Sequence, residues 1–142
     1  TTQASVTIDQ KLYSEIGKGF LVLIGICDED TKETADKMVR KLIGMRIFSD
    51  ENGKTNLALK DVDGQLLLVS QFTLYADCKK GNRPSFVKAG SPQHANELYE
   101  YIIDACKKEV PVVKTGVFGA EMKVALINDG PFTIILDSKD LA

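Results

Sequence analysis

Leu66-Leu67-Leu68-Val69 is an unbroken apolar run that leads into Ser70-Gln71-Phe72-Thr73-Leu74, and it constrains the fold more than any other stretch. Turn signals bound it, with Asp63-Gly64 before and Asp77 onward after, which predicts a strand covered on both faces in the middle of a core. If that strand continues through Tyr75, alternation puts Gln71, Thr73 and Tyr75 on one face and Ser70, Phe72 and Leu74 on the other. One face then turns polar. A buried amide or hydroxyl without a partner costs roughly 1 to 3 kcal/mol, so this cluster needs either partners within the fold or a ligand.

With 142 residues and 44% hydrophobic content, the chain can form one domain, 1–142, with its own core. Lys and Arg number 18 against 20 Asp and Glu, a net charge of -2. That balance excludes the broad basic field of a duplex binder and leaves room for a local contact with one strand end. Cys27, Cys78 and Cys106 are odd in number and lack CxxC spacing, so neither a disulfide framework nor a zinc site is expected. A reducing, cytoplasmic setting fits them best. No apolar run approaches the 18 or so residues of a membrane span, and no signal peptide is visible. Thr1 in place of an initiator methionine points to residues missing upstream.

Strands are expected over Ala4–Ile8 and Leu12–Ile16, with Asp9-Gln10 as a tight turn, and over Phe20–Cys27 after the Gly17-Lys18-Gly19 break. Asp30 followed by Glu33 has capping-box spacing, and Ala35, Met38, Val39, Leu42 and Ile43 then recur at helical intervals. Met45–Phe48 reads as a strand ending in the turn Asp50-Glu51-Asn52-Gly53. After the loop Asp77–Gly90, Ser91 as N-cap and Pro92 at the first position start a second helix. Its apolar face is Ala95, Leu98, Tyr99, Ile102, Ile103 and Cys106. Met122, Val124 and Leu126 alternate as a strand, Asn128-Asp129-Gly130-Pro131 turns, and Phe132–Leu136 closes as a last strand. The strand pairs are joined by turns too short for parallel crossovers. An α+β fold with mainly antiparallel β-sheets and two amphipathic helices follows.

Ordinary side-chain catalysis is hard to assemble from these residues. His94 is the only histidine and sits at the third position of the second helix, a place for capping at the surface; a Ser-His-Asp set is a poor fit. Cys78 lies near lysines, although a loop cysteine is commonly incidental. No metal-ligand set is present and no cofactor is implied. Lys80, Arg83 and Phe86, within Lys79-Lys80-Gly81-Asn82-Arg83-Pro84-Ser85-Phe86, could hold a phosphate or nucleotide, or could form a solvated loop. For Gly130-Pro131, spacing alone predicts a trans turn, because only about 5 to 6% of X-Pro bonds are cis.

Ser70-Gln71-Phe72-Thr73-Leu74 together with Asn128-Asp129-Gly130-Pro131-Phe132-Thr133 resembles the two signature motifs of the D-aminoacyl-tRNA deacylases, the D-Tyr-tRNA deacylase family. The similarity continues through Arg46-Ile47-Phe48, Lys80–Phe86 and Phe118-Gly119-Ala120-Glu121-Met122, and so covers nearly the whole chain. Family members usually begin with a methionine and a short extra strand before the segment matching Ala4-Ser5-Val6, and that strand is missing here. The resemblance implies a homodimer with its active site at the subunit interface, acting on the 3′ acceptor end of aminoacyl-tRNA. There it would cleave the ester of a D-amino acid, and of glycine, to free amino acid and tRNA. It implies a cis Gly130-Pro131 bond whose carbonyls, reaching into the partner's pocket, hold the substrate amino group and reject L side chains by collision. It implies hydrolysis assisted by the terminal 2′-hydroxyl, with backbone N–H groups around Gln71 and Phe72 stabilising the oxyanion and Ser70 and Thr73 beside them. Phe118 and Met122 match positions that line the adenosine pocket. Thr73 as covalent nucleophile is the older alternative and lacks a visible base. A different class of reading is a non-catalytic dimeric module that binds nucleotide or an RNA end through Arg83, Lys80 and Phe86.

Overall fold

A computed structural model describes residues 1–142. Eight strands and two helices alternate as β1 Gln3–Ile8, β2 Lys11–Ile16, β3 Gly19–Ile24, α1 Lys32–Gly44, β4 Phe48–Ser49, β5 Thr55–Leu57, β6 Gln65–Ser70, α2 Pro92–Lys107, β7 Val113–Thr115 and β8 Lys123–Ile127. One sheet has the order β2-β1-β8 and is antiparallel; a second, β3-β6-β7, is parallel; β4 and β5 form a small antiparallel hairpin. Three of the five pairings are therefore antiparallel, and the α+β class with two helices holds. The expectation of turns too short for crossovers holds for β1-β2 and β4-β5. It fails for the central sheet, because α1 lies in the connection from β3 to β6 and α2 in that from β6 to β7.

Strand β6 is the centre of the molecule. Leu66 and Leu68 belong to a core shared with Val39, Leu98, Tyr99 and Ile103 of the helices. Leu67 and Val69 face the other way, against Ala4, Val6 and Ile16 of the antiparallel sheet. All four are at most 1% exposed, as a strand covered on both faces requires. At about 1.5 to 3 kcal/mol for each fully buried aliphatic side chain, this short run is a principal source of stability.

Local signals set most boundaries. Asp9 and Gln10 both take left-handed angles, φ 49° and 66°, and close the β1-β2 turn. At Gly19 a Cβ would fall on the Gln65 carbonyl oxygen, so only glycine lets β3 and β6 meet there. Helix α2 starts at Ser91, whose Oγ accepts from His94 N at 3.3 Å, with Pro92 first and the expected six residues buried. Helix α1 is capped one residue later than the Asp30-Glu33 spacing suggested. Thr31 and Thr34 make the reciprocal capping bonds, while the Asp30 carboxylate accepts from Cys27 N at 2.9 Å.

Three expected strands are corrected. Only Phe48 of Met45–Phe48 enters a strand, in the hairpin held by the Asp50 carboxylate, which accepts from the Asn52 and Lys54 N–H groups at 2.9 Å each. The central strand stops at Ser70; Phe72–Tyr75 is a 3-10 turn, so the two-face alternation beyond Ser70 does not apply. Phe132–Leu136 is not a strand. Thr133 to Leu136 make no backbone hydrogen bond within the chain, and Ile135 is 91% exposed. No helix is long and apolar enough to cross a membrane.

Candidate active site

Gln71 N–H still donates to Ile24 O at 2.7 Å, the last carbonyl of the neighbouring strand, and this is the last ladder bond before the polar stretch leaves the sheet. The chain then turns. The first bond inside the turn runs from Leu74 N to Gln71 O at 3.2 Å, so the N–H groups of Phe72 and Thr73 have no partner within it. Of the two amides expected to face an oxyanion, that of Gln71 is thus already used and that of Phe72 is free of the turn. The Thr73 hydroxyl accepts from Gln71 Nε2 at 2.5 Å, an amide donor and not a base. Phe72 is 56% exposed and meets Phe86 edge to face at 5.2 Å between ring centres, which ties the turn to the following loop.

That loop is closed by paired backbone bonds between Asp77 and Ser85, 2.7 and 2.9 Å, leaving Lys80 and Arg83 exposed at its tip. Lys79 N–H and the Lys88 ammonium, 3.5 Å away, hold the Asp77 carboxyl below its usual pKa, the backbone bond contributing most. Next to the turn, the Tyr75 hydroxyl faces the Cys27 thiol, and burial raises the pKa of both. Cys27 is accordingly no activated nucleophile. His94 donates from Nε2 to Asp30 O at 2.9 Å, pinning the loop before α1 rather than serving Thr73. A cleft of about 830 Å³ lies on the far side of Tyr75, walled by Asp28, Thr31, Lys37 and Lys88; it contains none of the predicted site residues.

Phe118 and Met122 are brought to this same end of β6. Gly116 N–H donates to Leu68 O at 3.1 Å, and the Met122 sulfur sits over Gly116, where a Cβ would come within 2.5 Å of it. Gly116 was not singled out in the sequence; its only signal is a glycine directly after a short strand. Seen together, Ser70 to Thr73, Phe86, Phe118 and Met122 cluster at the C-terminal end of β6.

Asn128, Gly130 and Pro131 do not. Asn128 clamps their turn from both sides, its Oδ1 accepting from Phe132 N at 2.8 Å and its Nδ2 donating to Thr133 Oγ1 at 2.9 Å. The Gly130-Pro131 bond is cis, as the resemblance implies and against the trans geometry expected from spacing alone. The turn follows β8, whose last residue, Ile127, pairs with Gln3 and accepts from Thr2 N. Thr1 in turn exchanges backbone bonds with Gly19, which pairs with Gln65 at the start of β6. Ser70 lies at the other end of that strand. The five steps from Gln65 to Ser70, at roughly 3.3 Å each, separate the two motifs by about 16 Å within one chain.

The model of the D-Tyr-tRNA(Tyr) deacylase family matches residues 1–137. The chain belongs to that family. It is an enzyme of the hydrolase class. The D-aminoacyl-tRNA deacylase of Clostridium novyi (strain NT) is 53% identical over 137 residues, 96% of this chain and 92% of the relative. That of Thermosipho africanus (strain TCF52B) is 51% identical over 136 residues, 96% and 91%. Among solved structures, the c-Myc DNA Unwinding Element Binding Protein superimposes with a TM-score of 0.90 at 41% identity, covering 96% of this chain and 93% of that one. A probable eukaryotic D-amino acid tRNA deacylase shares the fold, with a TM-score of 0.73 at 18% identity over 87% of each chain.

Proposed function

We propose that this chain hydrolyses the ester joining a D-amino acid or glycine to the terminal adenosine of tRNA, working as a homodimer in the cytoplasm, where aminoacyl-tRNA is used. Each pocket combines the Ser70–Thr73 end of one copy with the Gly130-Pro131 turn of the other. The observation that carries this reading is the separation of the two family motifs to opposite ends of β6, which a single chain cannot close. Leu126, Ile127, Phe132 and Ile134 are large apolar residues left exposed around that turn, and a second copy would cover them. The unpaired backbone of Thr133–Leu136 offers the same partner a place to bond.

In the proposed pocket the adenosine lies against Phe118 and Met122, while Lys80 and Arg83 meet the phosphates behind it. Phe86 backs Phe72. Water adds to the ester carbonyl, the Phe72 N–H and its neighbour at Thr73 meet the developing oxyanion, and the bond to the ribose 3′-oxygen breaks. The terminal 2′-hydroxyl handles the proton that water loses and the leaving oxygen gains; Thr73, with Gln71 on its hydroxyl, positions. The carbonyls of Gly130 and Pro131 hold the amino group so that hydrogen or a D side chain fits and an L side chain collides. Thousandfold rejection needs about 4 kcal/mol, within reach of a backbone collision and beyond the roughly 1 to 3 of a missing methylene.

A second reading, a non-catalytic nucleic-acid binder, is favoured by the name of the 41% identical neighbour, which concerns a DNA unwinding element. Incubating the protein with D-Tyr-tRNA and L-Tyr-tRNA in parallel separates the two. The hydrolase releases D-Tyr and spares L-Tyr; a binder leaves both esters intact, and that result would overturn the proposal.

A further inference from the structure

We propose that Tyr99 is a positioning residue whose ring holds Phe118 in place as the wall for the terminal adenosine; this deepens the function proposed above and rests on it. Tyr99 lies on the buried face of α2 and is 1% exposed. Its hydroxyl donates to Leu68 O at 2.7 Å, two residues before Ser70. The same carbonyl accepts from Gly116 N at 3.1 Å, so one oxygen ties α2, β6 and the segment leading to Phe118 together. Burial pushes the Tyr99 hydroxyl up to about 12, which keeps it protonated and donating at any working pH.

Phe118 depends on that tie. It sits between β7 and β8 in a stretch outside any strand or helix, with Gly119 at φ +78° beside it, and its own N–H and C=O make no backbone bond; Ala120 N to Val117 O and Gly116 N to Leu68 O flank it. Nothing in its own backbone fixes the direction of its ring. The Tyr99 ring does so from beneath, 6.2 Å away between centres and tilted by 42°. Phe118 is only half-buried, so its other side is free to meet a purine. A hydroxyl anchored to β6 and a ring packed on Phe118 give one side chain control of the spacing between the ester-handling turn and the base-binding wall. Phe118 contacts the substrate and Tyr99 does not, so Tyr99 acts on affinity and not on the chemical step.

The test is steady-state deacylation of D-Ala-tRNA by the full dimer. Tyr99→Leu should raise KM roughly 2- to 12-fold, the range expected for losing one aromatic pair, with kcat held to within about twofold. Tyr99→Phe keeps the ring but loses the bond to Leu68 O, so its KM should lie between wild type and Tyr99→Leu. Phe118→Ala should raise KM by itself, and adding Tyr99→Leu should raise it no further, because the route runs through Phe118. Tyr99→Met, of similar length but without a ring, replaces Tyr99→Leu if circular dichroism shows that variant partly unfolded. KM effects that multiply in the double variant, equal effects of Tyr99→Phe and Tyr99→Leu, or a fall in kcat with KM unchanged would each overturn the role of Tyr99. Wild-type protein that releases no D-Ala overturns instead the function on which the inference stands.

Discussion

Asn128→Ala should erode discrimination between D and L substrates more than it erodes turnover of the D substrate. Asn128 holds the Gly130-Pro131 turn by bonds of 2.8 and 2.9 Å to Phe132 and Thr133. A net hydrogen bond contributes about 0.5 to 1.5 kcal/mol, and Asn128 is exposed, so water competes and the lower half of that range applies. Losing both bonds then loosens the turn by about 1 to 2 kcal/mol. Taken from the roughly 4 kcal/mol that thousandfold rejection requires, this cuts selectivity by about 5- to 30-fold. The assay compares kcat/KM for D-Ala-, Gly- and L-Ala-tRNA on one tRNA body at limiting enzyme. Wild type should accept D-Ala and Gly and refuse L-Ala, since glycine has nothing to collide with. In Asn128→Ala the L-Ala rate should climb while the ratio of D-Ala to Gly stays fixed. Asn128→Asp, which still accepts from Phe132 N and can accept from the Thr133 hydroxyl, should stay close to wild type. An unchanged D-to-L ratio in Asn128→Ala, or glycine refused like L-alanine by wild type, would refute rejection by this turn.

Three other outcomes are expected. Thr73→Ala should keep substantial activity, because the Thr73 hydroxyl is paired with the Gln71 amide and has no base; tRNA ending in 2′-deoxyadenosine should lose far more, and the reverse order would make Thr73 the nucleophile. Ile134→Asp, placing a charge on the surface a second copy would cover, should give a folded monomer without activity, and an active monomer in analytical ultracentrifugation would rule out the shared pocket. Backbone bonds from Lys54 and Asn52 lower the Asp50 carboxyl below its ordinary value of 3.8, so its contribution is fully present above that value and is lost as pH falls through the lowered one. Urea midpoints of wild type and Asp50→Asn should therefore differ near neutral pH and converge as pH falls below 3.8; a constant gap would remove the charge from the hairpin's stability.

The parts of the fold written in adjacent residues were legible. Helix α2 was readable down to its cap, because Ser91, Pro92 and an apolar face at helical spacing are all local signals. The burial of β6 on both faces was equally plain, since only a covered strand tolerates Leu66 to Val69 without alternation. What escaped depends on residues far apart in sequence. The strand ends at Ser70 because its partner β3 ends at Ile24, so the ladder bond from Gln71 N to Ile24 O has no successor, and no property of Ser70-Gln71-Phe72 announces that. The parallel central sheet arises from where α1 and α2 lie, not from the composition of its strands. Phe132–Leu136 has the residues of a strand and no ladder in its own chain, so β propensity alone gave the wrong state. Within the site, Ser70 to Thr73, Phe118 and Met122 were located by motif, whereas Gly116 and Tyr99 were visible only once β6, β7 and α2 were assembled.

Strand β8 shows why two copies, and not one or many, suit such a site. Met122 precedes it at the Ser70 end of β6 and Asn128 follows it at the other, six residues later. A single strand therefore carries a piece of the proposed base-binding wall and, about 20 Å away, the turn proposed to read chirality. A second copy related by a twofold axis would receive the first copy's turn and return its own, completing two pockets in one reciprocal contact. Head-to-tail addition would satisfy each pocket as well, but it leaves one apolar turn exposed at the end of every chain of subunits. Closure would cover both, and with apolar burial at about 25 cal/mol per Å² the closed pair would be the arrangement in which the exposed Ile127, Phe132 and Ile134 of each copy leave water.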